Sequence, residues 1–315
     1  MSYTLQQSIN FAQTFTQYSP FTAGLGLEPA MSIGNEVQNL ILNAPFTWGW
    51  NRKEDSSTVT TPGVQDYVVN LTDFSYLEKV SLTAPDGSVY ELKDVYNTLA
   101  RGIADPSTLK RQRPQACCVI MVTYGTSIKI RFMGVPDNTY IVTLTYQKLV
   151  SPIGQFAISA AGNASMGNTT YTGVFTTSAF PAGSTIYING FTTNAANNGT
   201  FQVVSISGTS LVVNNASGVA ETNPAVVWST NSPWSMPDQY LDIYNNLFTG
   251  ECMAVVDDAR ANMYRQRGVA ALLTKSEGLS EMQINAFLEQ YWARTGQSQY
   301  RTGAVTQSVQ ARGAQ

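Results

Sequence analysis

Gly199-Thr200-Phe201-Gln202-Val203-Val204-Ser205-Ile206, followed after Ser207 and Gly208 by Thr209-Ser210-Leu211-Val212-Val213-Asn214, is the stretch on which the reading of this chain turns. Both runs are rich in β-branched and aromatic residues and bounded by Gly or Asn, as strands between turns are. Gly183-Ser184-Thr185-Ile186-Tyr187-Ile188-Asn189-Gly190 has the same form. Asn189-Gly190 and Asn198-Gly199 mark tight turns, because Asn and Gly tolerate positive φ. Charge sets the region apart: between Lys148 and Asp238 the only charged residue is Glu221. A stretch that long and that neutral reads as a separate module. Its spacing predicts about five strands between Phe156 and Thr230, a small sandwich or barrel. The Asn-x-Ser/Thr triplets at Asn163, Asn168, Asn198 and Asn215 read as composition rather than glycosylation sites.

The flanks carry charge at ordinary density and nearly in balance, 11 basic against 12 acidic residues before the module and 7 against 8 after it. Pro29-Ala30 opens a predicted helix whose Ile33, Val37, Leu40, Ile41 and Ala44 follow the spacing of one buried face, and Pro45 ends it. Trp48 and Trp50 alternate around Gly49, and extended segments such as Asp66-Tyr67-Val68-Val69-Asn70 and Glu78-Lys79-Val80-Ser81-Leu82 follow. Pro85-Asp86-Gly87 turns the latter into Ser88-Val89-Tyr90-Glu91-Leu92, a hairpin by its turn chemistry. A short helix is expected over 96–103. Three strands are expected over Ala116 to Thr123, Ser127 to Met133 and Tyr140 to Lys148. Ile128, Ile130 and Phe132 alternate with Lys129 and Arg131, so this sheet should have one wet face.

After the module the chain turns helical. Pro237 opens a run with Leu241, Tyr244, Leu247 and Phe248 at helical spacing, continued by Cys252, Val255, Val256, Ala259 and Met263, with Gly268 expected as a break. Ser280-Glu281-Met282-Gln283 is a capping-box sequence that places the start of the last helix at Ser280. Residues 295–315 are rich in Gly, Gln, Ser and Thr, contain Tyr300, Arg301 and Arg312 and no acid, and are expected to lack order by themselves. The preferred role for that tail is to order on a partner.

Composition narrows the chemistry. The 315-residue chain has no histidine, which removes the usual general base near neutral pH and the commonest zinc ligand. Cys117 and Cys118 are adjacent and point to opposite faces of a strand, so with Cys252 they read as buried small hydrophobes rather than a metal knuckle. No catalytic, cofactor or metal residues are assigned. No phosphate-binding glycine loop, nucleophile elbow or calcium loop occurs. Asp257 and Asp258 are consecutive, so on a helix they diverge and read as a structural face rather than an acid/base pair. A net charge of -3 is no signature of a dedicated nucleic-acid binder. Met1-Ser2-Tyr3-Thr4-Leu5 lacks the pattern of a signal peptide, and no window has the length of a membrane span.

The order of parts resembles the head-to-tail adaptor, head-completion or tail tubular proteins of tailed bacteriophages. The resemblance lies in the N-terminal helix, Trp48-Gly49-Trp50-Asn51-Arg52 leading into Gln65-Asp66-Tyr67, the hairpin, and the closing helix bearing Asp257-Asp258-Ala259-Arg260. It covers both flanks and not the β module, which reads as an insertion. The resemblance implies a structural, non-enzymatic subunit of a dodecameric homo-oligomeric ring at the head-tail junction of a virion assembled in the host cytoplasm. Its lumen would pass genome DNA without sequence-specific binding, and its partners would be the portal protein and tail tube, nozzle or fibre proteins, with no membrane.

The expected fold is α+β: a helical bundle packed beside a small, mostly antiparallel sheet, with an inserted all-β sandwich or small barrel. The expected division is 1–150 for the N-terminal part of the adaptor domain, 151–234 for the insert, 235–294 for the closing helices and 295–315 for the tail. Tyr300, Arg301 and Arg312 are the candidate portal-docking residues. Trp48, Trp50 and the basic cluster Lys110, Arg111 and Arg113 are the candidate subunit or tail interface, the tryptophans reading equally as core and the cluster chiefly as a solvated loop. The rival readings are another tail, baseplate or fibre-attachment protein and, from a different class, a tail-associated glycan hydrolase with a carboxylate-only site.

Overall fold

The structure is a computed structural model that describes residues 3–16, 22, 24–94, 111–232, 234 and 236–294. The fold is α+β: helices, a mostly antiparallel sheet and a closed six-stranded barrel. By the closeness of its backbone in space the chain forms two compact units. One comprises Met1–Ile41, Ser151–Lys275 and Ile284–Gln315, and the other Leu42–Val150 with Ser276–Gln283. Contacts therefore divide the chain otherwise than its charges do: most of the flanking helices share a unit with the neutral module, and the charged sheet forms the other with Ser276–Gln283.

The sheet unit contains β1 (Arg52–Val59), β2 (Asp66–Val69), β3 (Phe74–Thr83), β4 (Val89–Asp94), β5 (Ala116–Thr123), β6 (Ser127–Met133) and β7 (Ile141–Lys148), in the spatial order β1-β7-β3-β4-β5-β6-β2. All neighbours are antiparallel except β4 and β5. The two edges, β1 and β2, are successive in sequence. A flat sheet of this order would hold them about 29 Å apart, beyond the ~25 Å that the steps from Val59 to Asp66 can span. The sheet therefore curls. Val80, Leu82, Ile128, Ile130, Phe132, Val142, Leu144 and Tyr146 fill its inside, while Lys129 and Arg131 face outward, as the alternation predicts. The Pro85-Asp86-Gly87 hairpin forms between β3 and β4 with Val80 opposite Leu92.

Four of the residues quoted for the resemblance brace this sheet. Asn51 is buried and donates its side-chain amide to Lys148 O at 3.0 Å, fixing the corner before β1. Arg52 pairs with Glu78 at 2.7 Å and Glu277 at 3.3 Å. Gln65 donates to Phe132 O at 3.0 Å, and the Tyr67 hydroxyl accepts from Thr61 N at 2.9 Å, closing the link between the edges.

In the other unit, β8 (Gln155–Ala161), β9 (Thr169–Gly173), β10 (Thr185–Asn189), β11 (Gly199–Ile206), β12 (Ser210–Val213) and β13 (Ala225–Trp228) close in the order β10-β11-β12-β9-β8-β13. The barrel has one strand more than the spacing predicts. Closure leaves no unpaired sheet edge, and Ile158, Tyr171, Phe180, Ile186, Ile188, Leu211, Val213 and Val227 fill the interior.

The chain enters and leaves the barrel at one end. There Ser229 N donates to Gly154 O at 2.8 Å, and Ile153 N donates to Asn35 Oδ1 at 2.7 Å on α2 (Ala30–Leu42). Gly154 has φ +75°, and a Cβ on it would collide with Ser229 O and the Met31 methyl, so only glycine fits where the barrel meets the helix.

Helices α1 (Leu5–Thr16), α3 (Leu241–Val255), α4 (Ala261–Lys275) and α5 (Glu281–Arg294) complete the description. The sequence reading passes over α1, although its buried Leu5, Ile9 and Ala12 keep helical spacing. Ser8 Oγ donates to Asn245 Oδ1 of α3 at 2.8 Å. The break expected at Gly268 lies instead at 256–260, where Asp257 has φ +53°. Gly268 sits inside α4, where a Cβ would lie 2.6 Å from Leu247 Cγ, so it serves close packing of α3 on α4 rather than termination. Asp257 and Asp258 accordingly belong to the α3–α4 connection and not to a helix face. The capping box is realised: Ser280 Oγ accepts from Gln283 N at 3.3 Å, and Gln283 Oε1 accepts from Ser280 N at 2.9 Å. The expected helix at 96–103 and the tail at 295–315 fall outside the described residues. No helix among the described residues is long and apolar enough to cross a membrane.

Candidate interaction end of the barrel

The one charged side chain of the neutral module has turned inward. Glu221 follows β12, exchanges two backbone hydrogen bonds with Ala161 at the end of β8, and is 7 % exposed. Its Oε1 accepts the backbone N–H groups of Thr192 at 3.1 Å and Thr193 at 2.9 Å, and its Oε2 that of Asn194 at 3.0 Å. Asn223 Nδ2 at 2.8 Å and Asn197 Nδ2 at 3.2 Å complete the cage. Successive backbone amides converging in this way form a nest for an anion, and the anion here is the chain's own carboxylate.

Burial pushes the Glu221 carboxyl up, but hydrogen bonds from the Thr193 amide, the Asn223 side chain, the Asn194 amide and the Asn197 side chain outweigh it and hold the group at about 2. A carboxylate that stays ionised down to such pH neither gives nor takes a proton near neutrality. Its chemistry is that of a latch.

The latch ties three loops together. Asn197 is fully buried, donates to Val219 O at 2.8 Å and accepts from Val219 N at 2.9 Å. Asn215 donates to Ala196 O at 2.9 Å, and its own carbonyl accepts from Thr169 Oγ1 at 2.7 Å. The Tyr171 hydroxyl donates to Asn197 O at 2.9 Å. Asn163 Oδ1 accepts from Ala220 N at 2.9 Å, and Ala164 N donates to Gly218 O at 2.8 Å. Segments 190–198 and 214–224 and the β8–β9 hairpin are thus cross-braced by satisfied polar groups, an arrangement that rigidifies. Asn163 and Asn215, two of the triplet asparagines, are structural members of it.

On this platform the β8–β9 hairpin ends in a two-residue turn, with Ser165 N donating to Asn168 O at 2.8 Å and Asn168 N to Ser165 O at 3.0 Å. Met166 has φ +50° and Gly167 φ +80°, the signs a type I′ turn requires at both central positions. That turn favours Asn or Gly at its first position; methionine there is strained. Met166 is nevertheless 99 % exposed, and Val219 beside the bracing is also exposed. This end lies at the far end of β8 from the helix-anchored entry. Sequence reasoning singles out Glu221 as the lone charge but misses the site; the signal was a single acid in a stretch crowded with Asn.

The residues singled out from sequence do not converge here. Trp48 is 1 % exposed and its carbonyl accepts from Gln147 Nε2 at 3.1 Å, so it is core and has no face to offer a partner, which corrects its assignment as an interface anchor. Trp50 is half-buried next to it. Arg111 and Arg113 are exposed; Arg113 lies 4.1 Å over the Tyr90 ring and Arg111 lies against Gly63. Lys110, Tyr300, Arg301 and Arg312 lie outside the described residues. Cys117, Cys118 and Cys252 are buried, and burial pushes the Cys252 thiol well up.

No protein-family model and no curated protein sequence matches the chain.

Proposed function

We propose that the chain is a structural subunit of the portal-to-tail adaptor ring of a tailed bacteriophage, extending the DNA channel and providing a docking surface for tail components. The observation that carries this reading is that Asn51, Arg52, Gln65 and Tyr67, which carry the resemblance, are the residues that fix the corner, the edge and the closing link of the curled sheet. These four residues are bracing members of the sheet, and the step from there to a role for the chain is an argument by fold analogy.

Electrostatics support it. Asp66 and Asp258 are held ionised by arginine within the chain, and Glu221 by amides, so these carboxylates are engaged as structural anions. The near-balanced charge also suits a channel through which DNA slides, because a basic wall would grip phosphate in a salt-dependent way. The basic tail, with Tyr300, Arg301 and Arg312, supplies the contact with the portal in this reading.

Mass photometry of the purified chain, alone and mixed with portal rings, tests the proposal. A complex of ring-sized stoichiometry on the portal is expected. A chain indifferent to portal would overturn the adaptor reading and transfer the assignment to a tail or baseplate component, with assays on polysaccharide and peptidoglycan separating that from a glycan hydrolase.

A further inference from the structure

We infer that the latched end of the barrel, crowned by Met166 and Val219, is a contact surface for a second copy of this chain. The inference names the surface through which copies meet, and it rests on the ring reading only for the presence of many copies.

Two independent observations point to a partner. The first is strain without return inside the chain. Met166 occupies a left-handed conformation that Asn or Gly adopts at less cost, and 99 % exposure leaves its side chain little to pack against within the chain. A local rule broken with no compensating contact is the mark of a site serving something outside the fold. Methionine is unbranched and polarizable, which suits an adaptable apolar contact. The second observation is the rigidity beneath it: the Glu221 cage and the Asn197, Asn215 and Asn163 bonds fix three loops before any partner arrives. A surface ordered in advance loses less entropy on association.

Charge selects the partner. Glu221 is the only charged residue between Lys148 and Asp238 and it is buried, so the barrel surface carries no charged side chain at all. Nucleic acid and anionic lipid need cations, and none is offered. An unlike protein partner is ordinarily met with complementary charge, which steers encounter and fixes register. Two identical surfaces repel wherever either carries unbalanced charge, and a charge-free surface removes that penalty for every orientation of approach. The corresponding loss of steering matters least for copies already held at high effective concentration in one assembly.

The test uses the full chain. Sedimentation velocity over a concentration series, at about 0.05 M and about 0.5 M salt, compares the wild type with Met166→Asn and Val219→Lys. The wild type should self-associate equally at both salts. Val219→Lys puts like charges in apposition and should weaken association by about tenfold or more, more so at low salt. Met166→Asn restores a favoured Asn-Gly turn, so it should weaken association while leaving Tm unchanged or about 1–3 °C higher. A role for Met166 within its own fold predicts a fall in Tm instead, and that result would overturn the inference. So would a wild type that stays monomeric, or variants that associate as the wild type does. Portal binding separates this from the adaptor reading: variants that self-associate as the wild type does, in a chain that loads onto portal rings, sink the barrel contact and leave the adaptor standing. Self-association that is lost in the variants, in a chain that ignores portal, does the reverse.

Discussion

Asp66 on β2 receives Nε and Nη2 of Arg131 on β6 at 2.7 and 2.8 Å, a two-pronged pair that ties the last strand of the curled sheet to its neighbour. Lys129 joins at 2.9 Å. The Arg131 hydrogen bond, with help from Lys129, holds the Asp66 carboxyl below the usual carboxylate range despite its partial burial. Charge-assisted pairs of this geometry are worth about 1.5–3 kcal/mol. Asp66→Ala should destabilise the sheet by an amount of that order, read as a shift in thermal melting, while Asp66→Glu recovers part of it.

Glu221 gives the barrel an acid-sensitive component. Its folded value of about 2 lies below its ordinary 4.5, so the stability it confers is complete above pH 4.5 and is lost as pH falls towards 2. Glu221→Gln turns an acceptor into a partial donor facing three backbone donors. The variant should melt several degrees lower at neutral pH and should lack that part of the wild type's acid dependence. Hydrogen exchange should report faster amides at Thr192, Thr193 and Asn194.

Gly268 tests close packing against helix propensity. Alanine gains up to about 1 kcal/mol in a helix interior, yet its Cβ would stand 2.6 Å from Leu247 Cγ and 2.9 Å from Leu247 N. Overpacking of this kind costs about 1–3 kcal/mol. Gly268→Ala should therefore lower Tm; a rise would mean that α3 and α4 have room to part.

Trp48 distinguishes core from interface. At 1 % exposure it is among the largest fully buried side chains, and Trp48→Ala should cost about 3–5 kcal/mol of stability. An interface anchor would instead weaken assembly with Tm intact.

Deletion of residues 295–315 addresses the tail. Under the adaptor reading the truncated chain should melt as the full chain does and bind portal rings at least about tenfold more weakly. Undiminished docking would remove Tyr300, Arg301 and Arg312 from the proposal.

Much of the fold was legible because its signals are local. The bounds of β6 go with its alternation, the β3–β4 hairpin follows from Pro85-Asp86-Gly87, and the start of α5 from the Ser280–Gln283 reciprocity. What escaped depends on distant partners. Gly268 reads as a helix breaker until Leu247 is seen against it, and β1, charged and exposed over most of its length, shows no apolar face before it pairs with β7. The candidate site was half legible. A lone acid in a neutral stretch is visible in the sequence, but the convergence of the 192–194 amides on it, and the φ of Met166, exist only in the folded chain.

The curled sheet also sets a timetable for synthesis. Asp66 must wait for Arg131, 65 positions later, which at a translation rate of about 5–20 residues per second is roughly 3–13 s. Ser8 waits still longer for Asn245, 237 positions on. Through that interval β1 and α1 emerge with no partner yet made. The sheet draws all its strands from Arg52 to Lys148 and the barrel from Gln155 to Trp228, so each can close while α3, α4 and α5 are still to be made. The chain's first helix is thus among the last parts to find its partner, after both β structures have had all their strands.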